Sequence, residues 1–200
     1  MTAQLRVFIS SPGDVAAERE AARQIVAKLQ TWYGPEQVDL VPLLWEDLPL
    51  QAVTSFQAGV DTVLSATSGV DIAVFILWSR LGTPLGPEIR KADGSAYRSG
   101  TEREFDLMLC ANRQTQGERP AMLVYVRKDD AAFHHRLSGR KTGELKEMVD
   151  QRDAVEHFIR TQFQDAEGHN CGAYHGYTDP ASFALLLRTH LRELIDARLQ

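Results

Sequence analysis

The run Val70-Asp-Ile-Ala-Val-Phe-Ile-Leu-Trp78 constrains the fold more than any other part of the chain. It is almost continuously apolar and rich in β-branched residues, and it lacks the polar alternation of a strand with one face in water. Such a run is typical of a central strand in a parallel sheet, where helices cover both faces. We therefore expect the rest of the chain to supply neighbouring strands and the helices that connect them.

Other segments of the chain fit the same sheet. Apolar runs at 4–10, 38–45 and 120–126 predict strands, and 174–177 predicts a short last strand. Helical patterns occupy 15–32, 53–65, 101–112, much of 131–170, and a final helix that opens at Pro180. This alternation predicts the α/β class, with a flavodoxin-like, mostly parallel sheet of about five strands and helices on both faces. Pro42 places the second strand at a sheet edge or a bulge.

Composition describes an ordinary globular chain. The 200 residues are 44% hydrophobic and 24% charged, which predicts one domain over 1–200, with a core at 4–127 and a helical part at 131–200. The net charge of −5 argues against nucleic acid as a partner. No apolar run approaches the roughly eighteen residues of a membrane span, and no signal peptide is evident. Two cysteines form no disulfide framework, so we expect a cytoplasmic protein.

Several candidate binding residues fall where strands end. Parallel sheets bind ligands beyond the carboxyl ends of their strands, and this rule selects a group of five: Ser10, Ser11, Trp45, Trp78 and Arg80. Each residue also has a structural interpretation, since a tryptophan at a strand end more often packs than stacks on a ligand. Their convergence on one rim favours a binding site.

The loop after the first strand is a candidate phosphate site. Ser11-Pro-Gly-Asp14 precedes a helix, and Gly13 and its neighbours offer backbone N–H groups that attract phosphate oxygens at a helix N-terminus. The loop is neither a Walker A motif nor a GxGxxG fingerprint, because it has one glycine and no following lysine. The alternative is a helix cap without a ligand.

Glu104 is the candidate catalytic residue. It lies in the helical stretch Gly100-Thr-Glu-Arg-Glu-Phe-Asp-Leu-Met-Leu-Cys-Ala111, at the edge of the apolar stripe formed by Phe105 and Met108. Glu102, two positions earlier, points about 200° away and is expected to face solvent or the helix dipole. The alternative role for Glu104 is a capping box with Thr101. The irregular segment 79–99, rich in glycine and proline, precedes this helix and is a candidate lid.

Metal binding is not expected. His169, Cys171 and His175 have a spacing similar to that of metal ligands, but one thiol and two imidazoles fall short of a structural zinc set. No GxSxG nucleophile motif is present.

Three motifs resemble the TIR-like domain that opens many multidomain signalling proteins. They are Val7-Phe-Ile-Ser-Ser-Pro-Gly-Asp-Val15 with Glu18-Arg19, then Arg80-Leu-Gly82, and then Gly100-Thr-Glu-Arg-Glu-Phe105. The resemblance spans about residues 4 to 127. In such proteins the domain precedes NTPase, WD-repeat or tetratricopeptide segments, so the resemblance implies that this chain is the N-terminal piece of a longer protein, with C-terminal sensor or NTPase domains as partners.

The resemblance also implies an activity. Relatives in the wider TIR group include enzymes that cleave NAD at the nicotinamide–ribose bond, and adaptors that only assemble. By this resemblance Glu104 corresponds to the catalytic glutamate, 10–14 to the nucleotide-binding loop and 46–53 to the self-association loop. Leu81 replaces the family's usual aromatic residue, and Gly100-Thr101 replaces a tryptophan–cysteine pair. Ring stacking then depends on Trp45 or Trp78.

The sequence therefore predicts an NAD nucleosidase domain of an immune or stress-signalling protein, with NAD as substrate and no separate cofactor. Cleavage develops oxocarbenium charge on the ribose, which a nearby carboxylate stabilises. Two alternatives stay open: a non-catalytic self-association module, and an N-glycosidase that acts on another nucleoside or nucleotide. The sequence does not identify the activating signal or the form of the ADP-ribose product.

Overall fold

The protein forms a five-stranded parallel sheet with helices on both faces, as the sequence predicts. The computed structural model describes residues 2–44 and 69–200. The strands are β1 (Ala3–Ser10), β2 (Val38–Leu44), β3 (Ile72–Leu77), β4 (Ala121–Arg127) and β5 (His175–Tyr177). The α-helices of the described residues are α1 (Ala16–Tyr33), α2 (Gly100–Gln114), α3 (Asp130–Leu137), α4 (Thr142–Phe163) and α5 (Pro180–Leu199), and a 3-10 turn at Gly13–Val15 precedes α1.

The strand order is β2-β1-β3-β4-β5, so the longest apolar run lies at the centre. Every residue of β3 is buried, because helices cover both of its faces. β3 pairs with β1 on one side, where Val7 lies opposite Ile72, and with β4 on the other, where Ile72 lies opposite Ala121. Pro42 lies on the edge strand β2, as its missing N–H predicts.

Two apolar clusters fix the helices on the sheet. On one face, α1 and α5 pack through residues such as Val26 and Leu191 against Ile9 and Val74. On the other face, α2 and α4 pack against β3 and β4. There Phe105 lies edge-on to two rings, with centroids 5.2 Å from Phe75 and 5.1 Å from Phe158. Burial of each such ring contributes about 1.5–3 kcal/mol, so α2 is held in one register.

The C-terminal part belongs to the same core. β5 extends the sheet beyond β4, and Leu187 of α5 is fully buried in the cluster that contains β1 and β3. Phe158 of α4 belongs to the opposite cluster. Residues 131–200 therefore complete the layers of the sheet and do not form an appended unit.

The segment between β3 and α2 is irregular, as predicted, apart from an isolated bridge between Arg90 and Ala96. The predicted helix at 53–65, Trp45 and the 46–53 loop lie outside the described residues. None of the helices in the described part of the chain is long and apolar enough to cross a membrane.

Candidate functional site

A buried carboxylate meets the carboxyl end of β1. Ser10, the last residue of β1, is fully buried, and its Oγ donates a hydrogen bond of 2.6 Å to Oε2 of Glu104. Glu104 lies in the first turns of α2 and is 6% exposed. Its neighbour Phe105 anchors α2 in the apolar cluster, which directs Glu104 to the strand ends. The structure thus joins two predicted site residues that are separated by 94 positions.

The N-terminus of α2 is capped by other residues. Ser99 is the N-cap, and its Oγ accepts from the N–H of Glu102 at 3.1 Å and donates to the carbonyl of Leu81 at 2.8 Å. The predicted capping box of Thr101 and Glu104 is therefore wrong. Both Ser99 and Thr101 are good capping residues, and the added bond to the Leu81 carbonyl selects Ser99.

Glu102 is buried, at 6% exposure, and does not face solvent, while its place in the first turn of α2 agrees with the other expectation, a role at the helix dipole. It accepts a hydrogen bond of 2.6 Å from the N–H of Arg98 and pairs with Lys91 Nζ at 2.7 Å. Partial burial acts to lower the pKa of Lys91, but the hydrogen bond and charge of Glu102 outweigh it and raise that pKa. Glu102 thus ties the irregular segment to α2, which leaves the two glutamates with different environments.

The β1–α1 loop is fastened to the end of β3. Asp14 Oδ2 accepts two hydrogen bonds of 2.8 Å from Ser79, one from its N–H and one from its hydroxyl. The buried Arg19 donates to the carbonyl of Pro12 at 3.4 Å. Gly13 is exposed, and a Cβ there would meet nothing within 4 Å. The loop is therefore fixed at both ends and open to solvent at Gly13.

Five buried polar atoms at this edge have no hydrogen-bond partner among the described residues. They are Ser11 Oγ, Asp14 Oδ1, Trp78 Nε1, Arg80 Nε and Arg127 Nε. An unsatisfied buried polar group costs about 1–3 kcal/mol, so in natural proteins an ordered water, an ion or a ligand usually supplies the partner. Four of the five residues, all except Arg127, are ones that the sequence selects for substrate binding, and the set contains both donors and an acceptor.

Trp78 does not present a ring face for stacking. It is 5% exposed, and guanidinium carbons lie over its ring, Arg127 at 4.3 Å and Arg136 at 4.8 Å from the centroid. These contacts are cation–π interactions. The expectation that Trp78 supplies ring stacking therefore has no support in this geometry, and its indole N–H is the atom that remains unpartnered.

Sequence reasoning missed an ion-pair network beside the site. Glu18 of α1 is 1% exposed and accepts from Arg127 Nη1 at 3.1 Å and from the Tyr177 hydroxyl at 3.3 Å. Arg127 also pairs with Asp129 at 2.7 Å. Desolvation acts to lower the pKa of Arg127, but Asp129 and Glu18 together raise it. The Glu18-Arg19 pair in the first motif was the available signal, and Glu18 holds α1 to β4 and β5.

The structure does not bring His169, Cys171 and His175 together as one group of metal ligands. His169 lies with Asp165 and Glu167 in an exposed cluster. His175 instead contacts His190, with ring centroids 4.2 Å apart. Cys171 is exposed. An exposed acidic cluster of this kind is common without an ion, so it gives no support for a metal centre.

Comparison with known proteins gives no family. No protein-family model matches the chain, and no curated protein matches it. Among solved structures, the chain is similar to translation elongation factor SelB from Methanococcus maripaludis in its apo form. The identity is 14%, the match covers all of this chain and 35% of that one, and the TM-score is 0.46. A similarity this low carries no argument about function.

Proposed function

We propose that this chain cleaves the bond between nicotinamide and ribose in NAD, with Glu104 as the catalytic residue. One observation carries the proposal: Glu104 is held by Ser10 at the carboxyl edge of the sheet, where Ser11, Trp78 and Arg80 present unpartnered polar atoms. The carboxyl edge is where parallel sheets bind ligands. The resemblance of the three sequence motifs to TIR-like domains points to the same reaction.

The chemistry needs one carboxylate. As the bond between ribose C1′ and the nicotinamide nitrogen breaks, nicotinamide departs as a neutral molecule and positive charge develops on the ribose. A carboxylate about 4 Å away, at an effective dielectric near 20, stabilises that charge by roughly 4 kcal/mol, on the order of a thousandfold in rate. Water then adds to C1′ and releases one proton, which gives ADP-ribose. The Ser10 hydroxyl acts as a positioning group for Glu104.

The binding groups suit a nucleotide. Asp14 Oδ1 and Ser11 Oγ can accept hydrogen bonds from ribose hydroxyls, while Trp78 Nε1 and Arg80 Nε can donate to phosphate or carbonyl oxygens. The exposed backbone at Gly13 leaves room for a phosphate beside the start of α1. An N-glycosidase that acts on a different base would use the same groups, so the substrates tested should include other nucleosides and nucleotides.

The low exposure of Glu104 favours a second candidate, a non-catalytic self-association module. In that case the Ser10–Glu104 bond only fixes α2 against β1. Self-association through 46–53 is proposed on the sequence alone. If assembly completes the site, nicotinamide release per molecule should rise with protein concentration.

The test is release of nicotinamide from NAD, measured by liquid chromatography over a dilution series of the protein. Glu104→Gln should abolish release, because it keeps the size of the side chain but removes the charge. Glu147→Gln, an exposed position on α4, is the matched control and should retain the parent rate. Glu104→Asp keeps the charge but shortens the side chain, so it should lower kcat while leaving the melting temperature nearly unchanged. Full turnover by folded Glu104→Gln would show that Glu104 is not the catalytic residue. No release of nicotinamide by the parent at any concentration would instead support the assembly role.

A further inference from the structure

A small cavity lies beside the carboxyl end of β4, between that strand and α4. Its volume is about 220 Å³. Charged side chains of Lys128, Arg152, Glu156 and Arg160 line it, together with the aromatic rings of Trp78 and Tyr174. The walls therefore combine three cations, one carboxylate and two rings.

The positive charge of this cavity is only partly neutralised. Arg152 pairs with Asp130 at 2.8 Å and with Glu156 at 3.3 Å. Lys128 lies over the Tyr174 ring, 5.2 Å from its centroid, and no carboxylate of the described residues pairs with Lys128 or Arg160. A net positive cavity attracts anions, although the chain as a whole carries a net charge of −5.

Two buried atoms of the lining residues also lack partners among the described residues. They are Trp78 Nε1 and Arg152 Nη1. Both are donors that cannot accept, so only an acceptor can satisfy them. An oxyanion supplies both the acceptor atoms that the two unpartnered donors lack and the negative charge that the two unpaired cations lack.

We infer that this cavity binds a phosphate or pyrophosphate group. Arginine and lysine side chains are the usual partners of phosphate oxygens, and the guanidinium can bind two of them at once. The cavity is smaller than the roughly 300–1,000 Å³ of pockets that enclose a whole drug-sized ligand, so it fits one charged group of a larger molecule or a small free anion. This inference does not require that the chain cleave NAD.

The test is binding of inorganic pyrophosphate to the whole chain by isothermal titration calorimetry. The double variant Lys128→Gln with Arg160→Gln removes two charges at exposed positions that form no ion pair among the described residues. It should weaken binding at least tenfold. Lys28→Gln with Lys146→Gln removes the same charge from exposed positions away from the cavity and should change binding less than twofold.

Competition with NAD distinguishes the source of the phosphate. If pyrophosphate displaces NAD, the cavity holds the pyrophosphate of the dinucleotide; if both bind together, it holds a separate phosphorylated ligand. Both results keep the anion site, and neither depends on cleavage. The inference is overturned if the folded parent does not bind pyrophosphate at millimolar concentration, or if the Lys128→Gln/Arg160→Gln variant binds it as tightly as the parent.

Discussion

Two glutamates two positions apart on α2 illustrate how local contacts assign separate tasks. Glu104 meets the Ser10 hydroxyl at the end of β1, while Glu102 meets Lys91 and the N–H of Arg98. The angular offset of about 200° between such positions makes this separation unavoidable. The substitution of either glutamate should therefore have distinct consequences.

We expect Glu102→Gln to lower stability while leaving nicotinamide release close to normal. Glutamine keeps the size of the side chain but removes the carboxylate that pairs with the partly buried Lys91, and only the charge of Asp106 remains to offset it, which should cost about 1–3 kcal/mol in the free energy of unfolding. Urea denaturation measures the loss, with the exposed Glu147→Gln as a control that should stay within about 0.5 kcal/mol of the parent. A variant as stable as the parent would show that the Glu102 pair adds nothing.

Substitutions at two glycines should distinguish an effect on substrate binding from an effect on stability. Gly13→Val should raise the KM for NAD and leave the melting temperature nearly unchanged, because a Cβ at Gly13 meets nothing within 4 Å. Gly82→Val is the contrast. Gly82 has φ +118°, and a Cβ there would lie 3.0 Å from Thr101 Oγ1, so this variant should lose stability. Steady-state kinetics measure the KM for NAD of both variants, and thermal unfolding measures their melting temperatures. An unchanged KM in folded Gly13→Val would show that the loop does not bind the substrate.

At the scale of elements, one buried carboxylate connects a helix to two strands. Glu18 of α1 binds Arg127 at the end of β4 and Tyr177 at the end of β5. Burial, then the charge of Glu18, raise the pKa of Tyr177, whose hydroxyl donates to Glu18. The contact crosses the sheet edge and sets the position of α1 relative to the candidate site.

Glu18→Gln should destabilise the protein strongly. Removing one partner of a fully buried ion pair costs about 3–5 kcal/mol, and the cost is less here because Asp129 still pairs with Arg127. Glu20→Gln is the control on the same helix, since the Glu20 side chain is 55% exposed and its pair with Arg23 spans 3.8 Å. Equal midpoints of chemical denaturation for the two variants would contradict this role.

The central strand was predictable because burial on both faces requires a continuous run of apolar residues. β3 has no polar residue between Ile72 and Leu77, and Pro42 marks an edge strand. The cap of α2 was not predictable, because Ser99 and Thr101 are both good caps and the choice depends on a bond to the distant Leu81 carbonyl. Irregular segments such as the one that carries Lys91 have no periodicity from which to infer contacts.

At the scale of the molecule, the strand-end rule located residues of the candidate site but not their neighbours. Ser10 and Arg80 follow buried runs, so their place at one edge comes from the topology of the sheet. The two cations over the Trp78 ring belong to different elements, Arg127 to β4 and Arg136 to α3. Only the packing of these elements brings them together. Side chains that approach from different elements leave no spacing signal in a single sequence.

The edge of the sheet far from β2 carries an imidazole pair that links global stability to pH. His175 of β5 has its ring 4.2 Å from the ring of His190 on α5, and Nδ1 of His190 lies 2.8 Å from the Tyr125 hydroxyl. Burial, and then repulsion by the charge of a protonated His190, lower the pKa of His175. Burial raises the pKa of Tyr125 above its ordinary value, which already lies well above neutral pH.

We therefore expect the free energy of unfolding to fall as the solution is acidified. The unfolded chain binds a proton at His175 near its ordinary pKa of about 6.5, whereas the folded chain resists protonation down to a lower pH. The stabilising contribution is complete above that unfolded pKa and is lost as the pH falls through the folded pKa. His175→Gln should flatten the decline in urea-derived stability from about pH 7 to about pH 5, since glutamine does not titrate. His157→Gln, at an exposed position on α4, should keep the slope of the parent. If the parent and His175→Gln declined with the same slope, the imidazole pair would not be the source of the pH dependence.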